Sequence, residues 1–294
     1  VKGNIIITLH SSPFTLHFLW RLFILFQRIC RKSSIIFLFI ALLFFYRHEL
    51  LWLIGTWTEK GYDSYGYIAL IAFLVYIRKF SVKKSSSKVL IIVALLSIIS
   101  IFIKNTGINI ISALFFIISL SMLIYYYFRE DVMENPSLIL ILFLMLPWTH
   151  HINIFFGFFL RRLSTSVAAF FLRMGGVSVE IHGTMIFLNQ IRLEVGAPCS
   201  GSKYLFFTAF FLITMGLFMK QKILLLLPLS VITAITCNIL RIISIAYLRI
   251  FLHGEESMFF HNIIGIFYFI IALAGVYFLW KKTSYWKFHW LFFL

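Results

Sequence analysis

Long hydrophobic runs separated by short polar connectors set the pattern of this chain. A helix needs about 20 apolar residues to cross a bilayer core. Eight runs approach that length: residues 34–55, 64–80, 89–104, 108–128, 137–152, 202–219, 223–248 and 260–280. They are continuous rather than alternating, which predicts spanning helices and excludes a β-barrel. An earlier stretch, 14–26, is interrupted by His17 and Arg21 and reads as a helix lying on the membrane surface. Pro147 and Pro228 fall inside predicted spans, where kinks are expected. No inverted repeat of the transporter kind is visible.

The pattern changes over residues 153–201. In 154–174, Phe155, Phe158, Phe159, Leu163, Val167, Phe170, Phe171 and Met174 recur at helical spacing, with Arg161, Arg162, Ser164 and Ser166 between them. This predicts an interfacial helix ended by Gly175-Gly176. Val177, Val179 and Ile181 then alternate with polar residues, Gly183-Thr184 turns the chain, and Met185 to Glu194 predicts a return strand. The expectation is a β-hairpin before the sixth span. The fold class is thus an all-α integral membrane protein of about eight transmembrane helices, with a small extracytoplasmic helix and hairpin. Residues 1–33 form a basic cytoplasmic N-terminus and 34–294 a single polytopic domain.

Composition agrees. The 294 residues are 62% hydrophobic and 12% charged, with a mean hydropathy of +0.99, too much apolar surface for a soluble core. The formal charge of +16 is explained by basic connectors that hold helix ends in the cytoplasm, so nucleic acid is not an expected partner. Lys2, Arg21, Arg28, Arg31 and Lys32, then Arg78, Lys79, Lys83, Lys84 and Lys88, then Lys220 and Lys222, then Lys281, Lys282 and Lys287 all fall on one side of an eight-span count. That orientation places 153–201 outside, in the cytoplasmic membrane of the cell. No cleavable signal is expected. Cys30, Cys199 and Cys237 form neither a disulfide framework nor a zinc pattern; no metal and no cofactor are expected.

Three polar groups meet at the outer ends of the last three spans. Cys199 follows Ala197-Pro198 and precedes Ser200-Gly201 at a helix start, where the dipole favours thiolate. Arg241 lies inside an apolar run, three residues after Asn238. A charge there costs about 2.5–3.5 kcal/mol on insertion scales, so a polar cavity or a partner is expected; snorkelling to the interface is the bland alternative. His261 opens the last span, with His253 as the competing histidine. Cysteine as nucleophile, histidine as general acid or base and arginine as oxyanion donor make a coherent set. Glu194 pairs with Arg241 or His261, or serves only the loop. Cys237 reads as a packing residue.

These residues resemble the exosortase and archaeosortase family, membrane-embedded cysteine transpeptidases. The family's Cys-Ser-Gly, Asn-x-x-Arg and following His correspond to Cys199-Ser200-Gly201, Asn238-Ile239-Leu240-Arg241 and His261. The lead-in Leu193-Glu194-Val195-Gly196-Ala197-Pro198 and the Gly183 turn are also similar. Tyr62-Asp63-Ser64-Tyr65-Gly66 resembles a segment that usually reads Ser-His-Gly, with Tyr65 replacing the His. The resemblance implies substrates that are exported proteins with a C-terminal motif, often Pro-Glu-Pro or a variant, then a hydrophobic helix and a basic cluster. It implies cleavage through a Cys199 thioester and transfer to an acceptor at the extracytoplasmic face. Two other readings compete: a serine-type intramembrane protease using Ser200, and a transporter or scaffold binding an anionic ligand at Arg241.

Overall fold

Apolar periodicity becomes helix through most of the chain in the computed structural model, which describes residues 33–62, 64–77, 86–104, 107–188, 191–219, 223–252 and 258–290. Two compact units form, residues 1–48 and 49–294. The described part of the first holds α1 (Ser33–Phe45), apolar on every side, as suits a helix surrounded by lipid or protein. The predicted surface helix at 14–26 and most of the basic connectors lie outside the described residues.

From α2 (Arg47–Thr58) the chain continues through α3 (Gly66–Ile77), α4 (Lys88–Lys104), α5 (Asn109–Tyr127), the short α6 (Arg129–Glu134) and α7 (Ser137–Phe143), then α8 (Trp148–Phe155) and α9 (Gly157–Met174). Three strands follow: β1 (Val179–His182), β2 (Met185–Leu188) and β3 (Ile191–Glu194). A 3-10 turn, Ala197–Cys199, leads into α10 (Ser202–Met219), α11 (Leu227–Phe251) and α12 (Met258–Trp290).

Among the described residues four helical stretches are long and apolar enough to cross a membrane: Asn109–Tyr127, Ala197–Met219, Leu227–Phe251 and Phe259–Lys282. Counting each of two bent helix pairs as one span raises this to six. Eight runs were expected: two of them form the bent pairs, and the runs at 64–80 and 89–104 hold α3 and α4, which are short of membrane length among the described residues. The run at 137–152 divides into α7 and α8, whose axes meet at 68°. Pro147 precedes the first residue of α8, and a proline ring excludes the helical hydrogen bond at that point. Pro228, by contrast, occupies the first turn of α11, where its missing N–H has no helical partner to lose. The expected kink there is replaced by a helix start.

The expected hairpin is a three-stranded antiparallel sheet in the order β1-β2-β3. Glu180 pairs with Phe187, and Phe187 in turn with Arg192. Period-two alternation turns Val179, Ile186, Leu188 and Leu193 inward. They pack with Ala168, Ala169 and Leu172 of α9 and with Ile239, Ile242, Ile245 and Ala246 of α11. The sheet is thus wrapped on the C-terminal part of α11. Arg249 Nη1 donates to Arg192 O at 2.7 Å, and Arg173 donates through Nε and Nη2 to Val179 O at 3.1 and 2.9 Å, pinning the sheet to both helices.

Helix α9 spans Gly157–Met174 and ends at Gly175-Gly176, where Gly176 has φ +80° and closes the helix as only glycine does readily. Its exposed face is aromatic, with Phe158, Phe159, Phe170 and Phe171 outward. Its buried face is mostly small or polar, Gly157, Ser164, Thr165, Ala168 and Ala169, with Leu160 and Leu172 beside them. Small residues let α9 lie close along α11, while the aromatic face is left for lipid.

Candidate active site

The site begins with a turn that only one residue type tolerates. Cys199 closes the 3-10 turn, its N–H donating to Gly196 O at 2.9 Å. Gly201 follows with φ +82°, and a Cβ there would sit 3.2 Å from the Asn238 amide. Both the left-handed backbone and the close approach of α11 require glycine. Helix α10 then starts at Ser202, so Cys199 lies just before a spanning helix, in agreement with the sequence expectation. It is buried and not in a disulfide.

The backbone around this cysteine is held from α11. Asn238 Nδ2 donates to Cys199 O at 2.9 Å and approaches Ser164 Oγ of α9 at 3.4 Å. Its Oδ1 is buried without a hydrogen-bond partner. One turn further, Arg241 is 7% exposed. Its Nη2 lies 2.7 Å from His261 Nε2, and its Nη1 reaches Pro198 O at 3.5 Å. The Nε has no partner and faces Gly265 of α12, where a Cβ would come within 3.6 Å. Arginine has donors and no acceptors, so His261 Nε2 accepts and the ring is held with its lone pair toward the guanidinium. Hydrogen bonds to a charged group contribute about 1.5–3 kcal/mol each. That is the scale needed to offset placing arginine in a span.

Tyr204, in the first turn of α10, donates from its hydroxyl to Gly265 O at 2.8 Å. This bond ties α10 to α12 beside the guanidinium. Ser200 is 2% exposed. Its Oγ donates to Asn153 Oδ1 of α8 at 2.6 Å, lies 3.1 Å from Ser202 Oγ, and accepts the Ser202 N–H at 3.3 Å. It is a clamp and a helix cap.

The structure therefore joins Arg241 directly to His261 and, through Asn238 and Pro198 O, to the Cys199 turn. Ser200 and Gly201 shape that turn. Glu194 is exposed at the end of β3, and among the described residues no ion pair joins it to Arg241 or His261. His253 lies outside the described residues. Cys237 is buried beside Tyr204, Ala234 and Ala272, as expected of a packing residue. Tyr65 packs at a tilt against Phe206 and Phe207 of α10, with ring centroids 5.9 and 4.8 Å away and Lys203 Nζ 6.0 Å from its own. Gly66 beside it admits the Met145 carbonyl, which also accepts from Trp57 Nε1 at 3.0 Å.

Asn153, Ser164, Tyr204 and Gly265 were not singled out in the sequence. Asn153 carried a signal, a lone amide in an aromatic run, of the same kind that marked Arg241.

A family model for transmembrane exosortases matches residues 57–278. No curated protein and no solved structure matches. The match begins at the Trp57 that bonds Met145 and extends past the last residue placed in the site, and it covers most of a chain with several membrane-length apolar helices. This is a multi-pass membrane protein with a transpeptidase-like role, and the chain belongs to the transmembrane exosortase family.

Proposed function

We propose that the protein is a cysteine transpeptidase of the cytoplasmic membrane, working at the extracytoplasmic face. It takes exported proteins whose C-terminal tails carry a short motif, an apolar helix and a basic cluster. The observation that carries this reading is the position of Arg241, between the carbonyl that precedes Cys199 and the Nε2 of His261. A guanidinium so placed serves both an oxygen that becomes negative and a base beside it.

The substrate's own helix lies among the spans and brings the scissile peptide to the Cys199 turn. The arriving carbonyl oxygen draws the Nη1 donor, whose 3.5 Å contact with Pro198 O is long enough to surrender. As the guanidinium turns to the substrate oxygen, Nη2 releases His261 Nε2, which takes the proton of the Cys199 thiol as sulfur attacks the carbonyl carbon. Arg241 holds the oxyanion. Collapse breaks the C–N bond, and His261 returns the proton to the leaving amine. A thioester remains on Cys199. An acceptor nucleophile then attacks it, His261 takes the acceptor's proton, and the restored sulfur leaves. Asn238 keeps the Cys199 carbonyl from turning into the path of attack.

The serine alternative loses ground because the Ser200 proton is directed to the Asn153 amide oxygen, which is not a base. The test uses a tail-bearing reporter expressed with the full-length enzyme. Cys199→Ala is expected to abolish cleavage and remove a hydroxylamine-sensitive enzyme–reporter adduct, while Ser200→Ala keeps the adduct. Cleavage that persists without Cys199 sinks the proposal.

A further inference from the structure

The outer part of the chain is rich in arginine, and these residues are either hydrogen-bonded or exposed, with one exception. Arg173 and Arg249 bind sheet carbonyls, Arg241 binds His261, and Arg162 and Arg192 are exposed. Arg161 is different. It is half-buried, and among the described residues no carboxylate pairs with it. The ion pair found there joins His182 and Glu180 on β1.

Its position is set by Gly157, one turn earlier on α9. Arg161 Nη1 comes within 3.2 Å of where a Cβ on Gly157 would sit, and Asn153 Oδ1 within 3.5 Å of the same point. The missing side chain lets the guanidinium fold back over α9 toward Asn153 instead of extending outward. Asn153 Oδ1 is the acceptor of Ser200 Oγ at 2.6 Å, and Ser200 is the residue after Cys199. A partly desolvated cation thus stands beside the side chain that clamps the cysteine turn, and the described fold supplies no anion for it. Partial burial of a charge without its counter-charge is unfavourable, so an anion that arrives at this position is stabilised there.

We infer that Arg161 is a specificity-determining residue that pairs with a carboxylate side chain of the substrate polypeptide beside the bond cut at Cys199. This rests on the transpeptidase reading above. The chemistry favours a carboxylate: one guanidinium offers a planar fork that matches the two oxygens of a single carboxylate. A substrate chain lying against the Cys199 turn from the α8–α9 side passes within reach of it. Arg241 is held by His261 and meets the reacting carbonyl, so the two arginines read different parts of the same polypeptide.

The experiment uses full-length enzyme in membranes with a library of exported reporters. Each carries a short randomised segment before an apolar helix and a basic cluster, and reporters cleaved in a Cys199-dependent manner are sequenced. Wild-type enzyme is expected to enrich Asp or Glu at one position. Arg161→Gln should reduce that enrichment roughly tenfold or more while still cleaving neutral tails. Arg161→Glu should shift enrichment toward Lys or Arg, Arg161→Lys should keep part of the acidic preference, and Arg162→Gln should leave it unchanged. The inference is overturned if wild-type enzyme shows no acidic preference, or if Arg161→Gln preserves it. It is also overturned if that variant depresses all tails alike, which marks a structural role, or alters only the acceptor product, which assigns Arg161 to an anionic acceptor. If no reporter is cleaved in a Cys199-dependent way, the transpeptidase reading itself fails, a result independent of Arg161.

Discussion

Helices α4 and α11 are both apolar and both carry polar side chains, yet the serines of α4 and the Asn238–Arg241 pair of α11 use their hydrogen bonds in opposite ways. In α4, Ser97 Oγ donates to Val93 O and Ser100 Oγ to Ser97 O. These bonds stay within the helix, which needs nothing from its neighbours to tolerate them. In α11, Asn238 bonds the Cys199 turn and approaches α9, while Arg241 bonds α12 and the residue before the cysteine. A polar group in a span becomes informative when its hydrogen bonds leave the helix. The first arrangement makes serine harmless in lipid; the second fixes several elements around one sulfur.

The contrast is tested most severely at Arg241. Arg241→Ala should lower reporter cleavage by about 10²–10³-fold, the usual scale for losing an oxyanion donor. Arg241→Lys should recover little of it, because an ammonium cannot serve His261 and a substrate oxygen in the same fork geometry. Cleavage rates at matched enzyme levels give the answer, and near-normal activity in the lysine variant would break the proposed role. Asn238→Ala removes the donor to Cys199 O and should destabilise the protein by about 1–3 kcal/mol, read as a lower thermal midpoint in detergent together with slower cleavage. Gly201→Ala places a side chain at a left-handed backbone position against the Asn238 amide. A cost of about 1–3 kcal/mol is expected, again visible in melting. Ser97→Ala should change stability by less than about 0.5 kcal/mol and leave cleavage untouched. A large effect there would show that α4 is not the self-contained helix its bonding describes.

Much of the site could be read from the chain because charge and apolar surroundings conflict so strongly. Arg241 in a run of isoleucine and leucine demanded a partner, and His261 is that partner. Cys199 was legible from Pro198 and Gly201, which announce a turn into a helix. Other members were hidden. Ser164 lies on the small-residue stripe of α9, which in sequence looks like the water-facing side of an amphipathic helix, yet it packs inward while phenylalanine faces out. Tyr204 looks like one more aromatic among Phe206, Phe207 and Phe210. The third strand was missed because no glycine or proline interrupts Met185 to Glu194, so one long strand and two short ones share the same alternation. The bend in the run at 137–152 was hidden for a related reason: hydropathy measures how much apolar chain exists, and a break at Pro147 changes its direction without changing its composition.

The grip of the sheet on α11 carries a mechanical consequence. Ten residues separate Arg241 from Phe251, about 15 Å of helix at the usual rise, and the strands are fastened along that stretch by Ile242, Ile245, Ala246 and Arg249. The helix acts as a shaft with a handle at one end and a guanidinium lower down. A turn of the sheet about this shaft is carried to Arg241 and, through it, to His261.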